Sequence, residues 1–164
     1  DVCELVRNVA FARKLAAPGI KVSVQVPDGY LKALGDDRLL GQALTNVIKN
    51  ACEAVERHVE AGEIKEGSVT VTLASDDDRA RITISDTGPG FPKEGRDRLL
   101  EPYVTTRESG VGLGLAIVNR IIVDHGGSIG LGDNEGGGAR VDITLPLVPD
   151  NNDNGAEHAD AGVV

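Results

Sequence analysis

From residue 36 to about 58, Leu40, Leu44, Val47, Ala51 and Val55 recur at helical spacing and form one apolar stripe. The two stretches that follow, SVTVTLAS and RARITISD, alternate apolar and polar residues as half-buried strands do, with a turn at residues 76–78. A helix with one apolar stripe and a hairpin with one apolar face must each be covered, so layers of helix and sheet are expected. The flanking segments repeat the theme. DVCELVRNVAFARKLA reads as a helix capped by Asp1, with Leu5, Val6, Val9 and Ala12 or Ala16 at helical spacing. IKVSVQV is a strand with Val22, Val24 and Val26 on one face, and YLKALG a short second strand after the PDG turn. EGRDRLLE is a short helix, residues 101–112 a loop, and 113–125 a helix ended by Gly126 and Gly127. SIGLGD and ARVDITLPL form a last hairpin across NEGGG. This order predicts an α+β, two-layer sandwich: one mixed sheet covered on one face by helices, not the regular β-α alternation of a dinucleotide-binding fold.

Composition narrows the chemistry. Of the 164 residues 40% are hydrophobic but only 2% aromatic, so the core is aliphatic. The length suits one domain, expected over residues 1–149, with 150–164, polar and patternless, as a disordered tail or interdomain stub. A net charge of −9 argues against nucleic acid as a partner, though not against a polyphosphate held by a cation and local donors. No apolar run approaches the roughly 18 residues of a membrane span. No signal-peptide pattern is present. Two cysteines without a CxxC pair suit a reduced, cytoplasmic compartment, with Cys52 as a core residue. The chain starts at Asp1 and contains no Met, as expected of a piece of a longer protein.

Three clusters carry possible chemistry. In LTNVIKNACEA, Asn46 and Asn50 are one turn apart on the long helix, about 120° from the centre of its apolar stripe. An amide oxygen is a hard, neutral ligand suited to Mg²⁺, although two solvated polar residues would look the same. In SDTGPGF, Asp86 ends a strand and Gly88 and Gly90 follow. A carboxylate there accepts from an exocyclic amine such as that of adenine, and guanine would present a carbonyl instead. The same residue types also make an ordinary turn. In ESGVGLGLAIV, Gly110, Gly112 and Gly114 run into a helix, so loop and first-turn N–H groups can converge on an anion, with Arg107 adding charge. No Gly-Lys-Ser/Thr follows, and Leu115 stands where a dinucleotide fingerprint needs glycine.

In this order the clusters resemble the ATP-binding catalytic domain of bacterial sensor histidine kinases, a superfamily shared with DNA gyrase B, Hsp90 and MutL. NVIKNACEA is similar to the N box, DTGPGF to the G1 box, EPYVTTR to the F-box region and GVGLGLA to the G2 box. The form of EPYVTTRESGVGLGLAIV is nearest the nitrogen-regulation branch, the NtrB and NtrY type. The resemblance covers residues 1 to about 147 and implies the Bergerat (GHKL) ATP-binding fold. It implies ATP and Mg²⁺ as cofactors, with Asn50 on the metal and Asn46 supporting metal and phosphates. Asp86 would bind the adenine amino group in a pocket shaped by Gly88 and Gly90. Residues 91 to 111 would form a mobile lid, and Gly110, Val111, Gly112, Leu113, Gly114 and Leu115 would line the phosphates. Lys49, Thr105, Thr106 and Arg107 are further contacts that the resemblance implies.

The resemblance also implies transfer of the γ-phosphoryl group to a histidine on a dimerisation domain of the same protein, with a response regulator downstream. His58, His125 and His158 lack the H-E-x-x-N-P context of such a phospho-acceptor. This piece is therefore expected to be the catalytic half alone, a monomer that binds ATP or ADP, and the parent protein could be membrane-anchored. Helix 1–16 would lead to the missing domain. His125 lies at a helix end, where a cation suits the dipole. One departure separates the chain from the ATPases of the superfamily: Asn46 stands where they carry the Glu that activates water. Hydrolysis should then be slow. Glu53 is read as a surface charge. The alternatives are a GHKL-type ATPase, an anti-sigma-type serine kinase, and a scaffold without nucleotide.

Overall fold

The computed structural model describes residues 1–101 and 114–149. Helix α1 (Val2–Ala16) leads to strand β1 (Lys21–Gln25), the long helix α2 (Asp37–Glu60), and strands β2 (Ser68–Ser75) and β3 (Arg79–Asp86). A short 3₁₀ helix (Arg96–Leu100), helix α3 (Gly114–Asp124) and strands β4 (Ser128–Asp133) and β5 (Ala139–Pro146) follow. The five strands form one sheet in the order β1-β2-β3-β5-β4. β1 runs parallel to β2 and the other pairs are antiparallel, so the sheet is mixed as expected.

Period-two alternation decides the two faces of the sheet. Val71, Ile84 and Val141 lie side by side across β2, β3 and β5, as do Leu73, Ile82 and Ile143, and all are buried. The intervening row is polar: Thr72, Thr83 and Asp142 are neighbours, with Thr83 Oγ1 donating to Asp142 Oδ1 at 2.8 Å. Helices cover only the apolar face. α2 buries Leu40, Leu44, Val47, Ala51 and Val55, the stripe read from the sequence, and adds Ala43, Ile48 and Cys52.

Some local expectations fail. YLKALG is not a strand. Its backbone carbonyls are taken instead by the start of α1 and the segment after β5: Val2 N–H donates to Leu31 O and Val148 N–H to Lys32 O. Its Tyr30 and Leu34 are exposed. On α1 the buried residues are Val2, Cys3, Val6 and Ala10, whereas Ala12 and Ala16 face solvent. Small side chains at positions 3 and 10 seat that helix on α2 and β1, and Leu5 and Val9 flank the contact. On β1, Val22 is buried but Val24 is 38% exposed, because the strand is an edge.

Asp36 joins two helices. Its carboxylate caps α2, accepting from Arg38 N–H at 2.9 Å and Leu39 N–H at 3.1 Å. Its own N–H donates to His125 Nε2 at 3.0 Å, and the other ring nitrogen, Nδ1, lies 2.6 Å from Ile121 O. A backbone N–H can only donate and a carbonyl can only accept, so the ring is neutral with its proton on Nδ1. This corrects the cation expected at this helix end. The ring fastens the last turn of α3 to the first turn of α2. His125→Ala removes both bonds, and urea unfolding should show a loss of about 1–3 kcal/mol.

Candidate functional site

Asn46 and Asn50 lie on the side of α2 next to its buried stripe, and both are half-buried. Ala54 continues their row one turn on. The loop after β3 packs here: a Cβ added to Gly88 would stand 3.3 Å from Ala54 Cβ and 3.1 Å from Asp86 Oδ1, so only glycine lets the loop lie this close without displacing its neighbours. The start of α3 approaches from another direction, with the Cβ position of Gly114 3.6 Å from Asn50 Nδ2. Residues 46, 50, 86, 88 and 114, far apart in the sequence, thus converge on one face of α2.

Asp86 is the centre of this arrangement. At 5% exposure it is the one buried charged residue among the described residues. Its Oδ1 accepts from Gly88 N–H at 2.9 Å and from Ala139 N–H, at the start of β5, at 3.2 Å. Among the described residues no side-chain oxygen is both shut from solvent and unpartnered, so Oδ2, which takes no bond there, is the atom that remains accessible. Burial pushes the carboxyl pKa up, and the Ala139 and Gly88 N–H groups and the charge of His58 oppose the shift. Thr87 anchors the loop from the other side, exchanging bonds with Ser68: Ser68 N–H donates to Thr87 Oγ1 at 2.9 Å and Thr87 N–H to Ser68 O at 3.1 Å.

The β4–β5 turn completes the surroundings. Asn134 Nδ2 donates to the backbone carbonyl of Asp86 at 2.9 Å. Gly138, at φ +108°, passes so close that a Cβ would fall 1.8 Å from that carbonyl oxygen. Arg96, in the 3₁₀ helix, bonds Asp133 Oδ1 at 2.5 Å and Pro92 O at 2.8 Å. Asn134 and Ala139 were not legible as partners of Asp86. NEGGG is a turn signal, and nothing in it indicates which strand end the turn will meet.

The other expected residues are placed less tightly. Gly90 lies near the same turn, its Cβ position 3.3 Å from Gly138 O. Leu115 packs against the core, which leaves only its backbone for a ligand. Lys49 is exposed and pairs with Glu53 at 3.9 Å, a surface ion pair of small energetic weight. Thr105, Thr106, Arg107, Gly110, Val111, Gly112 and Leu113 lie outside the described residues.

The chemistry of this face is specific. A buried carboxylate with an accessible acceptor oxygen favours a neutral N–H donor such as an exocyclic amine and repels a carbonyl. The described residues hold no cluster of three or more His, Cys, Asp or Glu that could bind a metal by itself. A single amide oxygen, at Asn50, fits Mg²⁺, which takes few protein ligands and completes its shell with water and ligand phosphates. Because burial raises the Asp86 pKa, the folded state binds this proton more tightly than the unfolded state. The resulting cost to stability is complete above the raised pKa and is relieved as pH falls through it. Asp86→Asn should therefore unfold at a temperature no lower than the parent at neutral pH. Its margin over the parent in paired thermal melts should narrow as the medium is acidified.

Known proteins share this sequence pattern and this fold. Residues 35–149 match the family model described as histidine kinase-, DNA gyrase B-, and HSP90-like ATPase. The chain is 44% identical over 146 residues to nitrogen regulation protein NtrY of Azorhizobium caulinodans, covering 88% of this chain and 19% of that one. It is 39% identical over 103 residues to the C4-dicarboxylate transport sensor protein DctB of Rhizobium meliloti, covering 63% and 16%. The chain thus spans about a fifth or less of the length of these relatives. Among solved structures, the mycobacterial sensor histidine kinase MprB superposes with a TM-score of 0.74 at 29% identity, covering 91% of this chain and 96% of that one. Full-length ShkA in complex with AMPPNP gives 0.76 at 33% identity, covering 92% and 31%. The neighbours include the catalytic domain of the histidine kinase ThkA, at 0.74 and 29%, covering 89% of this chain and 94% of that one.

Proposed function

Since the chain belongs to the histidine kinase-, DNA gyrase B-, and HSP90-like ATPase family, we propose that it binds Mg-ATP and serves as the catalytic half of a sensor histidine kinase. The observation that carries the adenine assignment is the Asp86 carboxylate, buried and held through Oδ1 by two backbone N–H groups, with Oδ2 left to accept from the 6-amino group. Asn50 would hold Mg²⁺ through its side-chain oxygen, with Asn46 one turn before it. When bound, the metal neutralises phosphate charge. The start of α3 at Gly114 presents backbone N–H groups beside Asn50, where phosphate oxygens are favoured by the helix dipole.

The γ-phosphoryl group then passes to a histidine nitrogen on a dimerisation domain, with ADP leaving, and from there to a response regulator. The unit expected to do this is residues 1–149, a monomer when separate. Asn46 has no basic carboxylate with which to activate water, which suits a donor that keeps its phosphoryl group for a protein side chain.

Calorimetric titration with ADP and GDP in the presence of Mg²⁺ tests this. ADP should bind, GDP should bind at least tenfold more weakly, and Asp86→Asn should weaken ADP by about 10–100-fold through loss of a charge-assisted bond. Equal binding of both nucleotides would overturn the adenine assignment. Rapid steady phosphate release would favour the ATPase alternative over the kinase.

A further inference from the structure

We propose that Asn134 is a positioning residue that sets base specificity at Asp86 from outside the nucleotide site. This inference rests on the adenine reading of Asp86. The register explains why such a residue is needed. β3 and β5 pair regularly as far as Ser85 and Arg140, so the next pair in the ladder would be Asp86 with Ala139. There the pattern changes: the Ala139 N–H turns to the Asp86 carboxylate, not to its backbone carbonyl. The carbonyl is thereby left without its ladder donor in a place where water has little access, since the Gly138 backbone lies against it. An unpaired carbonyl in such a place costs about 1–3 kcal/mol.

Asn134 Nδ2 supplies the missing donor at 2.9 Å. The turn is built to hold it there. Asn134 N–H donates to Gly138 O at 3.0 Å, Gly137 N–H donates to Asn134 O at 3.1 Å, and Asn134 Nδ2 lies 3.4 Å from Gly137 O. Asn134 therefore fixes the peptide orientation of Asp86 and releases the Ala139 N–H for the carboxylate. Both effects keep Oδ1 occupied and Oδ2 directed to the ligand. Without Asn134, the Ala139 N–H is the nearest replacement donor for the carbonyl, and Oδ1 loses a partner.

A residue that only stabilised the turn would weaken all nucleotides alike. One that orients Asp86 changes the preference between bases. The readout is the ratio of dissociation constants for IDP and ADP with Mg²⁺, since the two differ at the purine in the 6-amino group and its neighbouring N1. Asn134→Ala removes the side chain, and Asn134→Asp keeps its size and turn-forming oxygen while removing the donor. Each is expected to lower the IDP-to-ADP ratio about tenfold with the melting transition still cooperative. In the Asp86→Asn background, Asn134→Asp should change the ratio less than twofold.

An unchanged ratio in a folded Asn134→Asp protein would overturn the inference while leaving the adenine reading intact. An equal loss of affinity for both nucleotides would assign Asn134 to turn stability alone and overturn it too. Absence of any ADP preference in the parent would overturn the adenine reading, and with it this inference.

Discussion

The packing of α2 against the inner face of β2 and β3 is the contact on which the rest of the structure depends. Val47, Ala51 and Val55 of the helix and Val71, Ile82 and Ile84 of the strands are all buried in one core. Among the described residues the fully buried part of that core holds no aromatic side chain, and Phe91 packs only at its margin, so its cohesion rests on many close aliphatic contacts that leave little room for rotation of the helix. Fixing the rotation of α2 fixes where Asn46, Asn50 and Ala54 point. The helix that builds the core thus also presents the candidate site at its edge.

Asp86 sits at the opposite extreme. Its carboxylate is buried with two backbone N–H groups as partners, and burial raises its pKa. A protein selected for stability alone would place a neutral side chain there. A buried charge with one oxygen satisfied and the other accessible is instead suited to recognising a ligand, and local inconsistency of this kind is characteristic of functional positions. The surrounding backbone is arranged to tolerate it. Gly88 leaves space beside the carboxylate, and Gly138 allows the β4–β5 turn to close over the same residue.

Helix–helix contacts link these features. His125 ties the end of α3 to the cap of α2 through a neutral imidazole. The start of α3, Gly114, meets Asn50 on the same long helix. α3 is thereby held to α2 near both of its ends, which keeps the two sides of the candidate phosphate region in fixed relation. The Arg96–Asp133 pair connects the segment after the Asp86 loop to the end of β4.

Much of this was legible in the sequence, and for a physical reason. Helical and strand periodicities report which face of an element is apolar, so α2, β2, β3 and β5 could be located from residue spacing alone. Asn46 and Asn50 stood out as poor helix formers one turn apart, and Asp86 through its place with Gly88 and Gly90 between that helix and the glycine-led one. Backbone pairing over longer range was not legible. YLKALG has a strand-like pattern, yet its carbonyls meet the N–H groups of Val2 and Val148 and not a sheet edge, and the side of α1 that is buried depended on the small residues Cys3 and Ala10 fitting against α2. His125 reads as a helix-end cation until the Asp36 N–H is placed beside it. Asn134 is one polar residue in a glycine turn until β5 folds back along β3. The sequence by itself determined most of the regular elements, the apolar faces of α2, β2, β3 and β5, and the chemistry available. Only the tertiary structure decided which backbone donors and acceptors met, because those partners lie tens of residues apart and are chosen by sheet order.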